Sequence, residues 1–323
     1  MSAALIEVMN LTKRFGRRAA ADGVPALCEL TLSIADGERW GLFGEPGSGK
    51  TTLARMLGGT LQPTSGAILY RGQATDVMTR HQKLDWLRGV QMMFEHADAA
   101  LNPRLCAGDI ISDGPLTHRL VARDTAAGHV SSLMEEVGLD PASAGSYPHE
   151  FLPEERHRIA LARALSVNPS VLVCDQFTKA LLPEDGERLL NLVMERCVAR
   201  AIACVLISDR TAELESRCER LAVLYRGRLL EIGPTANLRD APNHPYSQIQ
   251  FATERSAHPS RVHQSSLESG DVEAGCIYRP SCAYAGSRCR QEDPRLREIA
   301  PRHSSACHLN DVASPQAAGG SQR

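Results

Sequence analysis

Gly44-Glu45-Pro46-Gly47-Ser48-Gly49-Lys50-Thr51 matches G-x-x-x-x-G-K-[ST], the pattern of a phosphate-binding P-loop. The apolar run Arg39 to Phe43 before it reads as a strand, and a helix is predicted from Gly49 to about Gly58. That strand–loop–helix context is what gives the motif its weight. Glycines let the loop wrap its backbone N–H groups round phosphate oxygens, and the helix N-terminus adds its positive end. In such a loop Gly44, Gly47, Ser48 and Gly49 shape the cradle, Lys50 reaches the β- and γ-phosphates, and Thr51, followed by Thr52, meets the Mg²⁺ of a bound ATP. Asp175 closes the apolar run Val171 to Cys174 and suits the Walker B carboxylate that steadies the same ion.

Outward from the loop, Ile6 to Val8 and Leu27 to Ile34 read as further strands, with Asp36-Gly37 as a turn. The segment from Leu105 to Leu165 is mostly helical in pattern, with amphipathic stretches at Val130 to Val137 and Glu154 to Leu165. Val171 to Cys174 and Ala203 to Ile207 are short apolar runs of the kind found in buried parallel strands, and a helix from Glu187 to Arg200 separates them. The expected fold class is α/β, a P-loop core with a helical insertion. At 323 residues the chain accommodates one large domain and an appendix. Thirty-six basic and 38 acidic side chains nearly cancel, which argues against attraction to nucleic acid or an anionic membrane. Neither a signal peptide nor a run of roughly 18 apolar residues is visible, so a cytosolic chain that meets a membrane only through partners is expected.

At this point the chain resembles the ABC ATPases. Leu61-Gln62-Pro63-Thr64-Ser65-Gly66 stands at the family's distance beyond the P-loop, and Tyr225-Arg226-Gly227-Arg228 to Gly233 resembles its closing strands. Tyr147-Pro148-His149-Glu150, Arg156-His157-Arg158-Ile159-Ala160 and Ala162-Arg163-Ala164-Leu165 bracket the place of the family signature. Leu101-Asn102-Pro103-Arg104 and Asn243-His244-Pro245-Tyr246 look like the peptide and nickel importers within it. The resemblance implies an ATP-binding subunit at the cytoplasmic face of the membrane. It would work as one of two such subunits under a pair of permeases, fed indirectly by an extracytoplasmic solute-binding protein. It also offers Phe15 as the aromatic that stacks on adenine, with a place in the core as the alternative.

The chain departs from that family where hydrolysis occurs. Gln176 stands where the family places the glutamate general base, and a neutral amide cannot take the proton of the attacking water. Losing a positioned base costs on the order of 10² to 10⁴ in rate. Asp209 replaces the switch histidine, Leu182 the D-loop aspartate, and Glu95 the lid-loop glutamine. In place of L-S-G-G-Q the chain has Phe151-Leu152-Pro153-Glu154-Glu155, which opens a helix well but fills its anion site with carboxylates. A carboxylate about 4 Å from a phosphate charge repels it by roughly 4 kcal/mol at an effective dielectric near 20. These exchanges imply a subunit that binds ATP and barely hydrolyses it, paired with a more competent paralogous ATPase. The contrary expectation is that Glu95 and Gln176 have traded roles, with Glu95 as base. A rival from another class is a nucleotide-gated or redox-responsive scaffold that has left transport.

Cys276, Cys282, Cys289 and Cys307 are spaced C-x₅-C-x₆-C-x₁₇-C. Four thiolates can hold Zn²⁺ or an iron–sulfur cluster, and the absence of tight C-x₂₋₄-C knuckles favours a cubane. A [4Fe–4S] cluster is also the occupant the resemblance implies, with Zn²⁺ or free thiols as alternatives. His303 and His308 nearby read as surface residues. The expected organisation is a nucleotide-binding domain over 1–240 with a helical subdomain near 105–165, a small Cys-rich domain over 241–310 and a disordered tail over 311–323. Ser256 to Glu273 reads as a polar linker.

Overall fold

The computed structural model describes residues 4–16, 25–255 and 274–312. The expected linker over 256–273 and the tail beyond residue 312 lie outside the described residues. In chain order the first elements are β1 (Ala4–Arg14), β2 (Pro25–Ala35), β3 (Arg39–Phe43), α1 (Lys50–Leu57), β4 (Ser65–Tyr70), β5 (Gln73–Ala74), α2 (Arg80–Gly89) and β6 (Val90–Met93). Helices α3 (Ala97–Ala100), α4 (Ala107–Thr117), α5 (Ala126–Glu136) and α6 (Pro153–Ser166) form the insertion. Then come β7 (Val171–Asp175), α7 (Pro183–Ala199), β8 (Ala203–Ser208), α8 (Thr211–Glu215), β9 (Arg220–Tyr225), β10 (Arg228–Pro234), α9 (Thr235–Asp240) and α10 (Pro245–Arg255). Past residue 273 lie α11 (Arg288–Gln291), β11 (Arg297–Ala300) and β12 (His303–Ser305).

Two sheets result. An antiparallel one runs β2-β1-β4-β5, and the main one runs β11-β12-β10-β9-β3-β8-β7-β6. Strands β9, β3, β8, β7 and β6 are mutually parallel, and β10, β12 and β11 continue the sheet antiparallel. The parallel strands are apolar because both of their faces are covered. In β7 the residues Val171 and Val173 join a core shared with β1, β2 and α1, while Leu172 and Cys174 join the core shared with α4 to α7. Alternation by two along a strand sends successive side chains to opposite layers.

The helical insertion forms where the periodicity placed it. Helix α6 starts with Pro153 at its first position and two carboxylates in its first turn, both favourable there. Strands β4, β5, β6, β11 and β12 and helices α2 and α10 were not anticipated from periodicity. β11 is an edge strand with half-exposed or exposed residues, so it carries no apolar signature. The C-terminal residues do not stand apart from the sheet. β12 pairs with β10, and Cys276 and Tyr278 belong to the core that also holds Phe43, Tyr246 and Phe251. Tyr278 packs its ring on Tyr225 and Tyr246 at centroid distances of 5.5 and 5.4 Å.

Candidate nucleotide site

The sheet order sets the site. β3 pairs in parallel with β8, opposing Phe43 to Ser208, and β7 pairs with β8, opposing Asp175 to Ile207. Gly44, Asp209 and Gln176, the residues that follow these strand ends, therefore leave the sheet side by side. The carboxyl end of parallel strands is where open α/β sheets bind ligands.

The loop after β3 is shaped by its glycines. Gly49, the N-cap of α1, holds φ at 106°, and a Cβ there would come within 2.4 Å of the Ala26 carbonyl. Gly44 is equally confined, since a Cβ would meet the Leu224 carbonyl and the Ser48 Oγ at 2.5 Å, whereas Gly47 faces open space. Lys50 is buried, and its Nζ donates to the Gly44 and Glu45 carbonyls at 2.5 and 2.9 Å, with the buried Ser48 Oγ at 3.5 Å. All three acceptors are neutral, so the ammonium charge is left for an anion to match. Burial pushes the Lys50 pKa down, against the opposing pull of the Asp209 and Asp175 carboxylates. Thr51 Oγ1 donates to Asp175 Oδ1 at 3.3 Å, which brings together two hard oxygens suited to Mg²⁺. Burial raises the Asp175 pKa, and the Thr51 hydrogen bond and the Lys50 charge oppose that rise. Thr52 follows in the first turn of α1, half-buried.

The residues expected to be degenerate collect at the same edge. Gln176 adopts a left-handed backbone with φ 49°, its N–H donating to the Ile207 carbonyl at 3.1 Å. Such a conformation in a residue other than glycine is sustained by its surroundings and gathers at functional sites. Its Oε1 accepts from Lys179 Nζ at 3.2 Å, and Lys179 in turn pairs with Asp209 at 3.4 Å. Glu95 lies close enough for its charge to bear on Asp175, and its carbonyl is 3.3 Å from His157 Nε2. Lys179 was not singled out from the sequence. Its place four residues past Asp175, in the turn that carries Gln176, is the signal that could have found it.

At the signature position the carboxylates are turned inward. Glu155 accepts from the Leu152 N–H at 2.8 Å, and Glu154 pairs with Arg158 at 2.6 Å and lies 3.9 Å from Arg188. Leu152 and Leu182 cap α6 and α7, each followed by proline at the first helical position, and remain 68% and 71% exposed. Phe15 is 55% exposed, with Lys13 Nζ 5.3 Å over its ring, which removes the core alternative. It follows Arg14, which pairs with Pro25 at the start of β2, the strand whose Ala26 abuts Gly49.

The C-terminal cysteines lie near one another in the fold. Cys276 N–H donates to the Cys289 carbonyl at 2.9 Å, and Cys282, Cys289 and Cys307 lie near enough for their charges to bear on Cys276. Burial pushes the Cys276 thiol up to about 11. Yet among the described residues no group of three or more His, Cys, Asp or Glu side chains is gathered to hold a metal. A tetrahedral Zn²⁺ site needs every sulfur roughly 2.3 Å from one ion, whereas a cubane takes each thiolate on a separate iron. His303 departs from its expected surface position. It is buried because its Nε2 meets the fully buried Glu231 Oε1 at 2.7 Å, whereas His308 reaches the Glu292 carbonyl at 2.9 Å.

Comparison with known proteins decides the family. Residues 27–179 match the model described as ABC transporter. The chain is 33% identical, over 97% of its length and 92% of the relative's, to the Sinorhizobium fredii protein named "Probable peptide ABC transporter ATP-binding protein y4tS". The chain belongs to the ABC transporter ATP-binding protein family. A second relative of this ABC ATPase is the di/tripeptide transport ATP-binding protein DppF of Pseudomonas aeruginosa, 35% identical over 88% of this chain and 90% of its own. Among solved structures, cbiO1 of Clostridium perfringens superposes with a TM-score of 0.64 at 21% identity, covering 78% of this chain and 95% of its own. The dimeric cassette MJ0796 with ADP and phosphate gives 0.62 at 22% identity, over 71% and 98%. These two likenesses show the fold. Membership implies ATP and Mg²⁺ as ligands of this ABC ATPase, and the buried Lys50 ammonium beside the Thr51–Asp175 oxygens fits both.

Proposed function

We propose that this chain is the ATP-binding subunit of an importer for peptides, nickel complexes or related solutes, one that grips ATP well and hydrolyses it poorly. Gly44, Gly47, Ser48, Gly49, Lys50, Thr51 and Thr52 hold the phosphates, Thr51 and Asp175 hold Mg²⁺, and Phe15 stacks on adenine. The observation that carries the reading is the contrast along one sheet edge. A buried ammonium hydrogen-bonds only to neutral acceptors, with the carboxylates of Asp209 and Asp175 farther off, while the residue after Asp175, Gln176, offers no base. The names of the relatives y4tS and DppF support peptides as the cargo class.

Turnover then needs a paralogous ATPase with a working signature, because Glu154 and Glu155 occupy the helix end that would face the partner's nucleotide. The pair sits at the cytoplasmic face of the membrane under two permeases, with a solute-binding protein on the far side and no nucleic acid involved. No helix among the described residues is long and apolar enough to cross a membrane, which suits a peripheral subunit. Residues 1–240 carry the nucleotide chemistry and 241–310 the C-terminal appendage. Cys276, Cys282, Cys289 and Cys307 ligate an iron–sulfur cluster, or alternatively Zn²⁺. Iron, sulfide and zinc assays on anaerobically prepared protein test that point, and metal-free protein removes it.

Calorimetric titration with Mg-ATP, and phosphate release by the chain alone and with its partner ATPase, test the main reading. Binding without turnover by the isolated chain is expected, and rapid turnover that Lys50→Ala abolishes would overturn it. The rival, a nucleotide-gated or redox-responsive scaffold outside transport, is favoured by Glu95 at the loop expected to couple to a permease. Recovery with two integral membrane proteins excludes that rival.

A further inference from the structure

We propose that Lys179 is a second cation for the terminal phosphate of the bound nucleotide, held ready by Asp209 until that phosphate arrives. The inference rests on the nucleotide reading above. It concerns what happens beyond Lys50, where the P-loop lysine delivers the end of a triphosphate. Three neighbouring strands end there, and Asp209 leaves β8 directly beside the loop that leaves β3. A bare carboxylate at that place would repel the terminal phosphate. It is not bare, since Lys179 Nζ sits 3.4 Å from its Oδ2 and 3.2 Å from Gln176 Oε1.

The two partners differ in freedom. Asp209 stands in a short, braced turn. The preceding Ser208 donates its hydroxyl to Glu213 at 2.7 Å and accepts from the Arg210 N–H at 3.0 Å, and Arg210 is paired with Glu213 at 3.1 Å. Lys179 is nearly half exposed and reaches Asp209 by a flexible four-carbon stem. Both groups line an open cleft of about 670 Å³ together with Gln176, Thr178, Ser208 and Arg210. Glu187 on the cleft wall is engaged by Arg217. Asp209 and Lys179 both lie within charge reach of Lys50.

A terminal phosphate carries more negative charge than one carboxylate and offers three strong acceptors, so it draws the ammonium from Asp209. ADP ends one phosphate short of that place, and with ADP the Lys179–Asp209 pair stays closed. Lys179 therefore confers preference for ATP over ADP and offsets the repulsive carboxylate at the position expected to hold a histidine.

The experiment is titration of the full chain with Mg-ATP and with Mg-ADP, for wild type, Lys179→Met, Lys179→Arg and Asp209→Asn. Lys179→Met is expected to weaken ATP about tenfold with ADP unchanged, and Lys179→Arg to restore most of the preference. Asp209→Asn is expected to tighten ATP severalfold and leave ADP unmoved. A Lys179→Met protein whose ATP and ADP affinities both hold, or fall by the same factor, overturns the proposal while the nucleotide reading stands. A wild-type chain that binds neither nucleotide overturns both.

Discussion

Lys50 and Gln176 lie on the same edge of the sheet and pull in opposite directions. Lys50 is buried against neutral acceptors, so a phosphate adds charge-assisted hydrogen bonds that nothing else supplies. Lys50→Ala is expected to weaken Mg-ATP by roughly 10- to 100-fold, since each hydrogen bond to a charged group contributes about 1.5 to 3 kcal/mol. Calorimetry reads that loss. Gln176 is aligned by its left-handed backbone and its bond from Lys179, but it lacks a basic oxygen. Gln176→Glu in the complex with the partner ATPase is expected to raise phosphate release by up to about 10², the lower end of what a placed base provides. An unchanged rate would point to Glu95 as the base, and Glu95→Gln would then abolish turnover. Gly49 fixes the loop by geometry, and Gly49→Ala adds a Cβ at φ 106° against the Ala26 carbonyl. It is expected to cost about 2 kcal/mol or more in urea unfolding.

Among the elements, β10 is the one that fastens the C-terminal part. Glu231 in β10 is fully buried and accepts from the Asn243 and His244 N–H groups at 2.8 and 2.9 Å and from His303 on β12. Burial alone would raise its pKa, but the bonds from His303, Asn243 and His244 together hold it below the usual carboxylate range. Removing one side of such a buried pair costs about 3 to 5 kcal/mol. Glu231→Ala should therefore release β12, seen as faster amide exchange over 303–305, and lower the urea midpoint. His244 adds a pH dependence, because burial lowers its pKa from 6.5 to about 4. Between those values the unfolded chain binds a proton that the native chain refuses, so stability falls as pH drops through that window, by on the order of 3 kcal/mol. Glu231's own contribution is held down to pH 4.5 and is lost below that, as pH falls through its lowered folded value. Equilibrium unfolding at pH 7, 6, 5 and 4 checks the sign.

At the scale of the whole molecule the nucleotide loop and the C-terminal segment share one core. Gln250 on α10 donates to Glu45 of the P-loop at 2.9 Å, and Tyr246 packs against both Phe43 and Tyr278. Truncation after residue 240 is accordingly expected to expose Phe43 and Tyr225 and to give a protein that melts lower or aggregates, measured by thermal unfolding. Local signals made much of this architecture legible. The P-loop, its flanking strand and helix, the buried strands β7 and β8 and the opening of α6 each follow from residue types at fixed short spacings, where steric limits and burial leave few alternatives. The expected substitutions at Gln176, Asp209, Leu152 and Leu182 came instead from the family resemblance. Hidden were the relations between distant stretches. Spacing could not show that Cys276 joins the core that holds Phe43, Tyr246 and Phe251. Sequence showed His303 as a surface residue, and the fold buried it on Glu231, 72 positions away. Nor could spacing reveal that Lys179 meets Asp209, because that pairing depends on β7 and β8 lying side by side. The chain by itself thus determined which loop can cradle a phosphate. Only the tertiary structure decided what each charge faces, since a charge's partner is set by strand order and burial rather than by its neighbours in the chain.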